Sequence, residues 1–267
     1  MVYRKKNYLY KISLIPYYLV LIFFILLPIF FVILNSFQET NNEGFVHTTF
    51  TLKYYHSLFT NFSFFYILLR SLSISIITVF LLFIISYPLG YIVSKFNPLT
   101  QGILVLLING MIWINMILKT QALVQIFSFL EKIFHVIILE TNLSMFIGFI
   151  YLFLPYMFLP IYLSIISIDP HLINVAKDLG ANETQVFKKI IFPLSFNESF
   201  IGCILVSFQV VTNIVVSKYL GHSTIPMISE LIENQTLLIG DIQSVCSIAV
   251  NLILLVLLVF IFCKKRK

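Results

Sequence analysis

Apolar residues in this 267-residue chain gather into long runs rather than into short alternating stripes. Residues 14–34, 66–94, 102–118, 143–166, 197–217 and 242–263 each approach the ~20 residues that cross ~30 Å of hydrocarbon as a helix. They predict six spans in one transmembrane domain over 1–267, an all-α polytopic fold. Pro28 predicts a kink in the first span, and Pro88 with Gly90 a break in the second. Pro155 and Pro160 sit inside the fourth, where a membrane helix tolerates them. Between the runs, 35–65 is polar and aromatic with a turn signal at 41–44. Asn97-Pro98 marks a tight turn, and 218–241 is a loop. The stretch 120–142 fits less easily. Its apolar pieces 122–130 and 133–139 are split by Glu131-Lys132, and each is too short to cross, so they predict interfacial or re-entrant structure.

One polar segment breaks the pattern, 169–194, DPHLINVAKDLGANETQVFKKIIFPL. Asp169 is an N-cap, with Pro170 at the first helical position, where its missing N–H costs nothing. Leu172, Val175, Ala176 and Leu179 fall at i, i+3, i+4 and i+7, one apolar stripe expected to lie on the chain itself. Gly180 predicts a left-handed helix end. Asn182 restarts a helix with Gln185 as its capping-box partner. Val186, Phe187, Ile190, Ile191 and Leu194 form a second stripe, which Pro193 is expected to interrupt. A short amphipathic helix, a Gly turn and a second amphipathic helix between two spans make a docking element.

Composition strengthens the membrane reading. The chain is 60% hydrophobic and only 10% charged, whereas soluble domains carry roughly 25% charge. A net charge of +6 suggests nucleic acid in a soluble protein, but here the basic residues cluster at span edges. With the N-terminus inside, Arg4, Lys5, Lys6, Lys11, Lys95, Lys177, Lys188, Lys189 and the tail Lys264, Lys265, Arg266 and Lys267 face one side. That is 12 of the 17 Lys and Arg. Lys53, Lys119, Lys132 and Lys218 face the other, with Arg70 at a span edge. The positive-inside rule puts both termini and the docking element in the cytoplasm. His47, His56, His135 and His222 lack metal spacing, and Cys203, Cys246 and Cys263 lie in apolar runs as small hydrophobes. No metal site is expected. No phosphate-binding Gly-rich loop with its Lys-Ser/Thr occurs, so any nucleotide must be brought by a partner. No paired carboxylates or nucleophile–base set stands at bilayer depth, which argues against an enzyme.

From Asn174 the loop reads Asn-Val-Ala, three residues, Gly180, nine residues, Ile190, one residue, Phe192-Pro193. This resembles the cytoplasmic EAA loop of type I ABC importer permeases: Glu-Ala-Ala, three, Gly, nine, Ile, one, Leu-Pro. Ala176, Gly180, Ile190 and Pro193 match by identity, whereas Asn174, Val175 and Phe192 depart. Ser71-Leu72 with Tyr87-Pro88-Leu89-Gly90 resembles the second span of that family. Trp113 through Gln125, Gly202-Cys203 and Tyr219-Leu220-Gly221 resemble its spermidine/putrescine branch.

The resemblance implies a permease subunit that takes a small solute across the membrane, a polyamine first. Thiamine, iron(III), phosphonate and sulfate are alternatives, as is a non-transporting scaffold or degenerate permease. It implies a second permease subunit, homologous or identical, two cytoplasmic ATPases carrying Mg-ATP, an extracytoplasmic substrate-binding protein and a bacterial plasma membrane. It implies no cofactor in this chain and no nucleic acid. Asn174, Ala176, Lys177, Asp178, Gly180, Ile190 and Pro193 are the expected ATPase-coupling residues, with Ala176 and Gly180 small enough for backbones to approach closely. Asn174 stands where the family has Glu: it can hydrogen-bond, but it cannot pair with an Arg. Within the spans, Asn109, Trp113, Asn115, Gln209, Thr212 and Asn213 are candidates for a polar translocation path, and interhelical hydrogen bonding explains them equally well.

Overall fold

The computed structural model describes residues 14, 16–39, 50–221 and 226–264. The turn at 41–44, His47, His222, the basic residues of 1–13 and the tail beyond Lys264 lie outside the described residues. Helices dominate: α1 Pro16–Ser36, α2 Lys53–Thr60, α3 Phe62–Ser94, α4 Pro98–Gly110, α5 Met116–Phe134 and α6 Asn142–Ile166 come first. Then follow α7 Pro170–Asp178, α8 Glu183–Thr212, α9 Val215–Leu220, α10 Ile228–Asn234 and α11 Ile242–Lys264. Among the described residues the only β-pairing is an isolated bridge between Gln38 and Phe50.

Among the described residues, four helices, α1, α3, α6 and α8, are long and apolar enough to cross a membrane, or five spans if the bent pair α4–α5 counts as one. The apolar run 102–118, read in the sequence as one span, is not one helix. It stops at Gly110, turns through a 3-10 segment at Met111–Trp113, and resumes as α5, bent by 97°. Hydropathy runs straight across this break, because Met111 to Ile114 are themselves apolar. The two apolar pieces of 120–142 are likewise one helix up to Phe134. There His135 turns left-handed (φ 53°) and Glu131 accepts the N–H groups of Ile138 and Leu139, both at 2.6 Å. The sixth apolar run is α11, whose described apolar stretch is Ile242–Leu255.

The prolines are absorbed rather than breaking the helices. Pro28 and Pro193 have no N–H to return to the preceding turn. Ahead of each, the helix widens to π geometry, at Leu21–Leu26 and at Phe187–Ile191. There the N–H of Leu27 reaches Ile22 and that of Phe192 reaches Phe187, so the bonding register shifts before the proline arrives. Pro193 therefore does not interrupt the second amphipathic helix, which continues into α8.

Two compact units divide the chain, residues 1–65 with 232–267, and Tyr66–Leu231. In the first, α1 packs with α11. Tyr55 donates to Ser36 Oγ at 2.8 Å, and Phe37 stacks on Phe50 and Tyr55. The expected 35–65 loop thus contains a helix, α2, and an exposed Lys53–Glu39 pair at 2.8 Å.

The second unit is built around α6. Met145, Phe149, Leu152, Met157, Phe158 and Ile161 are all nearly inaccessible along it. Small residues bring its neighbours close, as they must where no hydrophobic effect drives helices together in lipid. A Cβ on Gly202 would lie 3.1 Å from Pro160, and one on Gly90 3.3 Å from Ile161. Ser164 and Ser199 bond each other at 3.0 Å, and Ser75 donates to the Ser207 carbonyl at 2.8 Å. Tyr87 bonds Ser195 and lies among Phe83, Phe187 and Phe192. The α9–α10 segment is held by polar groups as well: Ser144 donates to the Leu220 carbonyl, and Ile228 N–H to Ser71 Oγ.

Candidate functional site

The loop between α6 and α8 folds by local rules. Asp169 Oδ1 accepts the His171 N–H at 2.9 Å, with Pro170 first in α7. The helix closes in a complete Schellman motif. Gly180 N–H bonds the Lys177 carbonyl at 2.9 Å, and Ala181 N–H the Ala176 carbonyl at 3.0 Å. Gly180 has φ +85°, and nothing lies within 4 Å of where its Cβ would be. Within this chain it is required for the left-handed backbone rather than for packing. Asn182 and Gln185 then bond each other's N–H groups, at 2.9 and 3.0 Å, as a capping box that opens α8.

The apolar face of α7 differs from its sequence reading. Ile173 and Ala176 pack against the second unit's core, joined by Ala181. Leu172, Val175 and Leu179, expected to lie with Ala176 on the chain's own surface, are 50%, 56% and 84% exposed. The stripe is wider than the surface available to it, and α7 rests on its Ile173–Ala176 edge. Asn174 and Asp178 are exposed as well, while Ile190 is half-buried and Pro193 exposed.

The electrostatic centre is Glu183, a residue that sequence reasoning did not single out. Lys177 Nζ donates to its Oε1 at 2.7 Å, Tyr91 Oη to its Oε2 at 3.1 Å, and Lys95 Nζ also to Oε2. Lys95 sits 4.8 Å over the Tyr91 ring, and Phe187 packs on that ring at 4.8 Å. Hydrogen bonds from Lys177, then from Lys95 and Tyr91, hold the Glu183 carboxyl down at about 2, from an ordinary 4.5. Its place in the first turn of α8 adds the favourable end of the helix dipole. Partial burial works against charge on Lys95, but the bonds to Glu183 and Tyr91 outweigh it and raise the ammonium. Lys177, expected on the polar face turned to a partner, is thus engaged within the chain.

The in-span polar residues separate into two kinds. Asn115 caps α5 by accepting the Ile117 N–H at 2.8 Å, and Thr212 donates back to Phe208. Asn213 ends α8. It accepts the Val216 N–H at 2.9 Å, gives its amide to the Met116 sulfur, and its carbonyl accepts from Ser229. Trp113, at the bend, is 91% exposed. Asn109 donates to Val105, yet its Oδ1 is buried without a partner among the described residues, and so is Gln209 Oε1. Lys119, expected at the outer end of the third span, lies inside α5, only 5% exposed, and donates to the Met111 carbonyl at 3.0 Å.

The fold is that of ABC importer permeases. A chain of a bacterial ABC transporter that imports the acidic polysaccharide alginate superposes with TM-score 0.77 at 14% identity, over 98% of this chain and 96% of that one. A chain of the methionine transporter MetNI, captured facing inward, superposes with TM-score 0.58 at 15% identity, over 77% and 96%. No protein-family model matches. Among curated proteins, the chain is 28% identical over 245 residues to the spermidine/putrescine transport system permease protein PotB of Haemophilus influenzae, covering 87% of this chain and 85% of that one. It is 29% identical over 217 residues to PotB of Escherichia coli, covering 77% and 78%. The resemblance read from the loop therefore extends over most of the chain, and its relatives are permeases by name.

Proposed function

We propose that this chain is the membrane-spanning permease subunit of an ATP-driven importer, that its substrate is a polyamine, and that the 169–194 loop couples it to a separate ATPase. The observation that carries the reading is the outward face of α7. Leu172, Val175 and Leu179 stand exposed on a short helix whose ends are fixed by an Asp cap and a Schellman turn. Such a face suits the groove of a cytoplasmic partner, in the mode of an amphipathic helix laid into an apolar cleft. Asn174 and Asp178 flank it for polar contact. The basic residues of both termini and of the loop support a cytoplasmic loop in a bacterial plasma membrane.

In this reading two permease subunits, homologous or identical, and two ATPases form the working unit, with an extracytoplasmic binding protein delivering substrate. ATP-driven closure of the ATPases draws the two α7 helices together and biases a two-state bundle from inward-facing to outward-facing, and hydrolysis resets it. The chain itself supplies no chemistry. Asn109 and Gln209, with buried oxygens short of a partner, are the strongest candidates for the path wall, since polar groups at bilayer depth face the bundle interior. The names of the relatives support polyamine as the substrate.

The test is co-purification. Mild-detergent extraction of the tagged chain brings down an ATPase subunit. Val175→Asp with Leu179→Asp reduces its retention about tenfold or more, because burying a Leu-sized side chain is worth about 1.5–3 kcal/mol. Absence of an ATPase, or retention indifferent to the double substitution, overturns the reading.

A further inference from the structure

Three helices end or begin around one carboxylate. Lys95 follows the last residue of α3, Lys177 lies in the last turn of α7, and Glu183 opens α8. We infer that Glu183 is the positioning residue that locks α7, the foot of α3 and the start of α8 into one body, so that a displacement of α7 is delivered to both spans together. The inference rests on the permease reading and names how its coupling loop is held.

Geometry supports it. Apart from this cluster, Ile173 and Ala176 are the α7 side chains packed on the hydrophobic core among the described residues, and the helix is flanked by a turn at Ser167–Asp169 and by the left-handed Gly180. A nine-residue helix held so narrowly can swing about those two turns. The carboxylate removes that freedom by accepting from three donors on two other elements, at 2.7 Å from Lys177, 3.1 Å from Tyr91, and from Lys95. Tyr91 then stacks the assembly, with Lys95 over its ring and Phe187 of α8 against it. Lys95 beside a helix C-terminus and Glu183 at a helix N-terminus each sit where the peptide dipoles favour them. A single exposed ion pair on a surface contributes little. Here convergence matters more than any one pair, because the same anion is shared by elements distant in sequence. The family pattern expects an anion at position 174, where this chain has Asn. Glu183, nine residues further on, carries an exposed carboxylate that is engaged by donors of this chain itself.

The experiment uses the whole complex, the permease with its co-purified ATPase, in lipid nanodiscs and in vesicles. Spin labels replace Asp178 and Phe96 in a chain whose native cysteines are removed, and the inter-label distance is read directly. The expected result is a narrow distribution that Glu183→Gln broadens. Raising salt from about 0.05 M to about 0.5 M broadens it in the parent chain and leaves Glu183→Gln unchanged, because exposed charges are screened at that ionic strength. In vesicles, Glu183→Gln raises the ATP hydrolysed per spermidine imported by about two- to fivefold, the range a weak ionic network can bias. Lys95→Met with Lys177→Met gives the same rise, and adding Glu183→Gln to that pair gives no more. If Glu183→Gln fails to assemble, Glu183→Asp and the salt titration of the parent chain decide. If the parent chain imports nothing, the permease reading falls, and the distance measurement still judges the lock. A narrow distribution and an unchanged ATP ratio in Glu183→Gln overturn the lock alone.

Discussion

Gly180 and Glu183 constrain the same loop by different physics, and substitution separates them. At φ +85° with no atom of this chain within 4 Å of its missing Cβ, Gly180 resists side chains within the chain through its backbone. A left-handed non-glycine residue costs roughly 1–2 kcal/mol, and Asn tolerates that region best. Gly180→Asn is therefore expected to keep ATPase retention near the parent level, Gly180→Ala to lower it, and Gly180→Val to lower it most. If all three lowered it equally, volume rather than φ would be the cause. For Glu183 the sign of the pH effect follows from its depressed carboxyl. Its bonds contribute fully above pH about 4.5 and are lost as pH falls toward about 2. The 178–96 label distance should stay constant from pH 8 to 5 and broaden below that. Asn174 gives a third test. If a partner Arg faces it, Asn174→Glu tightens ATPase retention severalfold, since charge-assisted bonds are about twice as strong as neutral ones.

Among the elements, caps and turns were legible because they are local. Asp169-Pro170, Gly180 and Asn182 with Gln185 do in the structure what their types announce. What covers a face was not legible. Periodicity identified Leu172, Val175, Ala176 and Leu179 as apolar, but it carries no information about whether core, lipid or partner meets them. The Met111–Asn115 break was hidden by its own apolar residues, and the Glu183 cluster by the sequence distance between residue 91 and residue 183. Close packing in the second unit gives a prediction at this scale. A Cβ on Gly221 would fall 2.2 Å from the Ser217 carbonyl oxygen, and one on Gly202 3.1 Å from Pro160. Gly221→Ala and Gly202→Val should each cost about 1–3 kcal/mol as overpacking, read as a lower Tm of the detergent-solubilised complex. Gly102→Ala, with nothing within 4 Å, should leave Tm unchanged.

Taken as a whole, the molecule is a helical membrane chain with the fold of ABC importer permeases and one polar loop, which the proposed function assigns to a partner. Its buried polar groups are divided between structural work and a smaller set with none assigned. Asn213 holds a helix end, which explains it without a substrate, whereas Asn109 and Gln209 retain a buried oxygen unpartnered among the described residues. Substituting Gln209 by Leu should therefore disturb uptake more than it disturbs stability. The most direct measurement is uptake of labelled spermidine into vesicles carrying the reconstituted complex, with its binding protein on the substrate side and ATP on the other. The account predicts accumulation that requires ATP, is competed by putrescine and is abolished by Val175→Asp with Leu179→Asp. Uptake without ATP, or uptake indifferent to that α7 substitution, would contradict it.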